Sequence, residues 1–459
     1  MIDASVDSYR YAGIRELRRS LRSGRASAVG LAEEALRLLE TVGVSHHGVI
    51  ELDRERTIAA ARRADRARAG SEALPPLLGI PYGIKDLVSA QSTACRRLAR
   101  AGAVLAGHLA VENGGFGWAY LAGIDSARDR PAALNRMRTR DFGRNPWNPA
   151  RWAGGSSSGS AIAVAAGALP FALGTETSGS IAWPAAYCGL TGIRPTMGAI
   201  SLDGVAPATR TMDKVGVLGR TVEDCIEVLA VLAGPVERPS IRGLRVGYAA
   251  EDFLAARPET RAALGAALSD IGRLGRALVP VRLADLDYAA MIATVQAAEG
   301  SALYGTRIEG DDLDHWVEAP QAARLRAALG TTARAYLEAM ASRDRLGREF
   351  ASLFDTVDVL VAPTVEWTAP PIADVRERRT RGGVFAEARP SAVGAGRLIA
   401  AGNLAGLPAV FVPCGLAADG MPVGLQIVGP RRSEGLLAAV GARYQRATDH
   451  HERRPHAAR

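Results

Sequence analysis

Apolar positions recur at three- and four-residue spacing at Ile14, Leu17 and Leu21, and again at Leu31, Ala35, Leu38 and Leu39. Residues 12–42 therefore read as helix, interrupted at Ser23-Gly24 and closed by Gly43. Residues 49–53 suit a short strand. The alanine- and arginine-rich residues 52–70 suit a solvated helix. Around residues 80–84 the apolar residues are contiguous, which predicts a buried strand with Lys85 at or near its end. Residues 92–106 read as helix, then AVLAG as strand. Residues 119–149 are polar and arginine-rich, with turn signals at Asn145-Pro146 and Asn148-Pro149. They read as a long loop of the kind that carries function or moves.

The rest of the pattern is organised around residues 151–196. Two glycine/serine clusters, 154–160 and 177–180, bracket a wholly apolar segment that predicts a tightly packed helix over 160–168 and a strand over 170–174. Thr221, with Asp224 three residues on, caps a helix that ends at Gly234. A strand–helix–strand alternation follows from 242 to 281, then long helices to about Phe354, and a buried strand at 358–364. Charged residues 373–389 read as a mobile loop. Residues 393–408 lead through a helix into two strands, AVFVPCG and PVGLQIVGP. The tail from Gln445 is polar and basic and reads as a solvated end. No internal repeat is present.

At 459 residues and 48% hydrophobic content, the chain can form two average domains or one large α/β domain. Its longest apolar run, residues 161–174, contains Pro170 and falls short of the ~20 residues of a bilayer span. The start lacks a basic end followed by an apolar block, so no secretory signal is expected. Cys95, Cys188, Cys225 and Cys414 are far apart, which suits buried reduced thiols in a cytoplasmic protein. The net charge of +8 is scattered and no basic run alternates with aromatics, so it reads as general surface charge with no nucleic-acid partner.

Charge composition changes the picture at one point. Of 56 basic residues only Lys85 and Lys214 are lysine. Arginine cannot lose its proton in a protein, whereas a buried lysine can. A lysine kept in so arginine-rich a chain is a candidate for proton chemistry. The argument is weaker for Lys214, which follows the polar Thr211-Met-Asp and suits an ordinary surface charge. The cluster at 154–160 lacks the lysine that a phosphate loop places after its last glycine. No GxSxG elbow is present. None of the seven histidines lies in a glycine-rich or strand-end context, and none belongs to a group with metal-ligand spacing. A serine nucleophile with a lysine base remains, and it requires a Lys85 pKa lowered from ~10.4 to about 7–8.

GIPYGIKD, GGSSSGSAIAVAAG, GTETSGSI–PAAYCGLTGIRPT, NLAGLPA and PVGLQIVGP occur in an order and spacing that resemble the amidase signature family across nearly the whole chain. The resemblance implies a single large α/β domain over 1–459, with a mixed central sheet sandwiched by helices. Within it, 1–75 would be a helical N-terminal region, 76–240 the signature core, and 241–459 an α/β part and tail. It further implies a Ser–cisSer–Lys triad: Ser180 as nucleophile, Ser156 as proton bridge after a cis peptide, and Lys85 as base. Backbone N–H groups of Thr177, Ser178, Gly179 and Ser180 would form the oxyanion hole, with Ser157 and Thr175 in support. No metal and no cofactor are implied. The implied substrate is a small-molecule amide, and the family admits a homodimer.

The sequence departs from the family pattern at five places, the largest of which, the segment missing after Val88, bears on access and substrate more than on catalysis. Ser178 stands where glycine is usual, and Ala182 where many members carry arginine. Bulky Trp183 is expected either to wall the acyl pocket or to fill the core. Gly107-His108 replaces a Gly-Lys, and a Gly/Pro/Thr-rich segment after Val88 is missing, with 119–149 as a partial replacement. The leading expectation is hydrolysis of a carboxylic amide through a Ser180 acyl-enzyme. The alternatives are a glutamine-dependent amidotransferase subunit, or another amide-transferring biosynthetic enzyme, and a non-catalytic scaffold on the same fold. Ala182 and Trp183 argue against the amidotransferase.

Overall fold

The computed structural model describes residues 9–69, 74–112, 142–275, 277–310, 313–317, 319–381 and 396–455. Its strands are β1 (Val49–Glu51), β2 (Pro81–Lys85), β3 (Val104–Leu109), β4 (Arg144–Asn145), β5 (Asn148–Trp152), β6 (Phe171–Glu176), β7 (Thr191–Arg194), β8 (Lys214–Gly219), β9 (Arg245–Ala249), β10 (Ala277–Val281), β11 (Val359–Pro363), β12 (Ala409–Leu416) and β13 (Pro422–Val428). Eleven of them form one mixed sheet, in the order β1-β3-β2-β6-β8-β7-β12-β13-β11-β9-β10. Parallel pairs β3/β2/β6 and β11/β9/β10 flank an antiparallel centre from β6 to β11. The chain is thus α/β with a large mixed sheet.

Helices cover both faces, so the strands bury side chains on both sides. Tyr82, Ile84, Phe171, Leu173, Val215 and Val217 join one apolar cluster, with Ile14, Leu98 and Leu229 from helices. The alternate residues Ala172 and Leu218 join the other, with Ile162, Ala185 and Leu398. Burial on both faces makes these strands read as continuous apolar runs rather than alternating ones. The helix Ser158–Ala165 is buried along its whole length. A Cβ on Gly159 would sit 2.1 Å from the Ala110 nitrogen and 2.3 Å from the Gly48 carbonyl oxygen. Small residues in this helix are a condition of its close approach to the backbone beside β1 and β3.

Most predicted elements are present within a few residues. The first helix breaks at Ser23-Gly24 into Ile14–Arg22 and Ala28–Leu38. Thr221 caps Val222–Ala233, accepting from the Asp224 N–H, and Gly234 closes that helix. The helix expected over 92–106 stops at Arg100 and gives way to β3. Residues 372–381 form a helix where a charged loop was expected, and 382–395 lie outside the described residues. Residues 113–141, which take in most of the expected long loop, are also outside them. The end of that loop is the hairpin β4/β5, turning at Pro146-Trp147. Among the described residues, no helix is long and apolar enough to cross a membrane. The four cysteines are free and buried.

The tail differs most from expectation. The helix Glu434–Ala447 packs into the core, and Gln445 is buried. The Gln445 side-chain oxygen accepts from the Val222 N–H at 2.8 Å, and its amide donates to Thr191 Oγ1 at 2.8 Å. These polar groups satisfy one another there, so local polarity carries no sign of burial. Gln445→Leu would leave the Val222 N–H buried without its acceptor. It should lower the unfolding free energy by about 1–3 kcal/mol in urea denaturation. An unchanged midpoint would show that the tail is not part of the cooperative unit.

Candidate active site

Lys85 ends β2, and Thr175 and Glu176 end the neighbouring parallel strand β6. Together they form the floor of a polar cluster at one edge of the apolar core. Lys85 is fully buried, and its Nζ lies 2.6 Å from Ser156 Oγ and 2.8 Å from Thr175 Oγ1. Ser156 Oγ lies 2.9 Å from Ser180 Oγ. One unbroken chain of polar contacts thus runs from the buried amine to Ser180, which is partly exposed. The Gly155–Ser156 peptide is cis, as the resemblance implied. Around it, the Glu112 N–H donates to the Ser156 carbonyl at 3.0 Å, and the Ser157 N–H donates to the Ser180 carbonyl at 3.2 Å. Ser157 Oγ bridges the backbone N–H and carbonyl of Thr175.

Burial depresses the Lys85 pKa to about 7, against the opposing pull of the Asp213 and Glu176 carboxylates. Desolvation disfavours the ammonium form, and neither oxygen beside Nζ carries a formal charge. The nitrogen is therefore a base within reach of neutral pH.

Residues 177–180 wrap around the exposed end of the chain of contacts. The backbone N–H groups of Ser178, Gly179 and Ser180 donate to no group among the described residues. Gly179 has φ +133°, and a Cβ there would meet the Trp183 indole at 2.4 Å. Only glycine fits both that backbone angle and that space. Thr177 Oγ1 donates to Asp213 Oδ1 at 2.5 Å, and Asp213 Oδ2 accepts from the N–H groups of Ala208 and Thr209 at 2.7 and 2.8 Å. Burial nevertheless pushes the Asp213 carboxyl up. Glu176 accepts from the N–H groups of Ile181 and Ala182 and, at 2.8 Å, from Asn403 Nδ2. Arg194 Nη1 lies 3.5 Å from the same carboxylate. The loop carrying Ser180 is thus tied down on both sides by buried carboxylates.

Trp183 is about 6% exposed and packs against Tyr187 and Trp367, with ring centroids 5.7 and 5.8 Å away. Trp367 Nε1 donates to the Tyr187 hydroxyl at 3.0 Å. Trp183 is core to the loop and also borders it beside Gly179. Sequence reasoning did not single out Thr175 as the second partner of Lys85, nor Glu176, Asp213, Arg194 and Asn403. Asn403 lies in the NLAGLPA motif, which was the only sequence signal for it. His108 sits one residue from the end of β3, contrary to the expectation for the histidines. Its Nδ1 lies 3.0 Å from Asp86 Oδ1, and among the described residues no serine is its partner. Lys214 was expected at the surface but is buried. Among the described residues, no group of three or more His, Cys, Asp or Glu is arranged to hold a metal ion.

The sequence matches the Amidase family model over residues 88–438, which includes Ser156 and Ser180 and begins just after Lys85. The chain belongs to the amidase family. It is similar to the A-subunit of glutamyl-tRNA(Gln) amidotransferase from Roseiflexus sp. (strain RS-1), with 34% identity over 96% of this chain and 97% of the relative. A crystal structure of an amidase is 28% identical, with a TM-score of 0.81 over 95% of this chain and 99% of that one. The native peptide amidase of Stenotrophomonas maltophilia is 26% identical, with a TM-score of 0.79 over 97% and 98%. The mixed sheet and its two helical layers are therefore the family's domain, carried at nearly full length.

The depressed Lys85 pKa has a consequence for stability. Between about pH 7 and 10 the unfolded chain holds more protons at this lysine than the folded one, so folding becomes more favourable as pH rises. Lys85 alone contributes up to about 1.4 kcal/mol per pH unit over that window. Urea unfolding at pH 7, 8 and 9 should show this rise, and Lys85→Met should flatten it. An identical slope in the variant would mean that Lys85 titrates normally.

Proposed function

We propose that the chain breaks the C–N bond of a carboxylic amide through an acyl-enzyme on Ser180. The observation that carries this reading is the continuous contact Lys85 Nζ–Ser156 Oγ–Ser180 Oγ, with its buried end depressed toward neutrality. Neutral Lys85 takes the Ser156 hydroxyl proton as Ser156 takes that of Ser180. Ser180 Oγ then bonds to the amide carbon. Charge on the carbonyl oxygen is met by the backbone N–H groups of residues 177–180, of which those of 178–180 are free of other partners among the described residues. The proton returns by the same route to the amide nitrogen, the C–N bond breaks, and the amine leaves. Water then attacks the ester with the same relay and releases the acid. Thr175 accepts from Lys85 and orients the nitrogen lone pair toward Ser156.

A second reading shares every step to the acyl-enzyme. Relatives named as the amidotransferase A-subunit, 34% identical across almost the whole chain, favour a role in which ammonia from glutamine passes to a second reaction with partner subunits. The comparisons support that role more than free-standing hydrolysis. The aromatic group Trp183–Tyr187–Trp367 beside Gly179, and alanine at 182, favour an apolar acyl group over glutamine. Trp183 and Trp367 would then border the acyl group of a small amide.

Purified chain assayed against aryl and alkyl amides, peptide amides and glutamine separates the two. Turnover of an apolar amide by the chain alone is the expected result. Ammonia from glutamine, alone or only with a co-purified partner, would favour the amidotransferase-subunit reading. On whichever substrate turns over, Lys85→Arg and Ser156→Ala should each lower kcat by at least about 100-fold. Ser180→Ala should lower it further, and Lys85→Arg, which buries a guanidinium that cannot give up its proton, should also lower the thermal unfolding midpoint. Full activity in Lys85→Arg would rule out the serine–lysine mechanism.

A further inference from the structure

Lys214, the second of the two lysines, lies in the same buried cluster as the first. It opens β8 and is paired in register with Glu176 on β6, and it directly follows Asp213. Its Nζ donates to the Met212 carbonyl. The groups facing it come from every element around it: Glu176 from β6, Asp213 from the preceding turn, Arg194 from β7 and Arg343 from the helix Ala333–Thr356. Arg343 is engaged elsewhere. It bonds the Leu404 carbonyl and Thr211, whose own N–H and hydroxyl are held by Glu299.

The remaining charges can be counted. Asp213 and Glu176 are two buried carboxylates, each collecting donated N–H groups, and at Asp213 these and the Thr177 hydroxyl oppose the burial that pushes its carboxyl up. Arg194 offsets one of them at 3.5 Å. Balance requires one more positive charge, and the cluster holds two amines that could carry it, Lys85 and Lys214. Burial lowers both to about 7, with Arg194 and Arg343 also lowering Lys214, and both carboxylates attract a proton to either, so the two sites compete. Their partners decide between them. Among the described residues, Lys85 Nζ has only hydroxyl oxygens as partners. Lys214 adjoins one carboxylate in sequence, the other across the ladder, and has a carbonyl acceptor, which hydrogen-bonds an ammonium well.

We propose that Lys214 is a positioning residue that carries the balancing positive charge of the Asp213–Glu176 pair, which leaves Lys85 neutral beside Ser156. This rests on the reading of Lys85 as the base. Lys214 touches no reacting atom and acts through the carboxylates. A single acceptor suits a lysine amine better than the five-donor guanidinium, so this site too keeps lysine in an arginine-rich chain.

The test uses the scarcity of lysine. Full-length protein labelled with [ε-13C]lysine gives two lysine signals, assigned with Lys85→Arg and titrated from pH 5.5 to 10. The expected result is that Lys214 keeps its proton to a higher pH than Lys85, which titrates near neutrality. In Lys214→Met the Lys85 midpoint should rise by one unit or more. On a cleaved amide, the acid limb of the pH–rate profile should move with it, about a tenfold loss at pH 7 per unit. A neutral Lys214 beside a charged Lys85 at pH 7.5, or an unmoved Lys85 midpoint in Lys214→Met, overturns the proposal. Should Lys214→Met not fold, Lys214→Gln and the wild-type titration decide between the same outcomes. Because the titration needs no turnover, a neutral Lys85 with a fully active Lys85→Arg would refute the base and leave the charge assignment standing.

Discussion

A primary amine buried at the end of a core strand, with hydroxyls and, among the described residues, no carboxylate against its nitrogen, is the constraint on which the rest of the site depends. Burial of a lysine is unfavourable in its charged form, so the folded chain keeps Lys85 only by lowering its proton affinity. In the proposed mechanism that cost is converted into chemistry by the two serines that lead outward. Ser156 is held by its backbone to Glu112, and Ser180 is held by a loop whose ends are fastened to Glu176 and Asp213. The sheet supplies the rigid base. β2 and β6 run parallel and end together, which brings Lys85 and Thr175 to one place from positions 90 residues apart in sequence.

The supports of the site are as buried as the amine. Glu176 collects the N–H groups of Ile181 and Ala182, and Asp213, itself held by the N–H groups of Ala208 and Thr209, accepts from the Thr177 hydroxyl, so the two define where the loop can lie. Asn403 and Arg194 reach Glu176 from the C-terminal part of the chain and from β7. The surroundings of Glu176 are therefore completed by a residue far away in sequence, Asn403. Gly179 and Trp183 add a steric condition: the indole occupies the space that any larger residue at 179 would need.

The strands and helices were legible in the sequence wherever a period or a cap was local, as at Ile14–Leu21, Thr221–Asp224 and the apolar run before Lys85. Lys85 stood out through composition alone, because arginine replaces lysine nearly everywhere else. Ser156 and Ser180 needed the family resemblance, since three adjacent serines in the first cluster are indistinguishable by local pattern. Lys214 and Gln445 were misread for one physical reason: each sits among polar neighbours in sequence, yet the fold supplies each with partners in its interior. Polarity that is paired across β6/β8, or between the last helix and the Thr221-capped helix, looks in one dimension like solvent exposure. The helix over 372–381 was hidden by its charge for a related reason, because its sequence carries little apolar surface to reveal a period.

In the proposed mechanism a neutral amine at position 85 makes one serine, Ser180, nucleophilic. The most direct test is the rate at which a fluorophosphonate probe labels the wild-type chain between pH 5.5 and 9, with the modified residue located by mass spectrometry. A single adduct on Ser180 is expected, with a labelling rate that rises with pH through a midpoint near 7. An adduct on another serine, or a rate on Ser180 that does not change across that range, would contradict the mechanism.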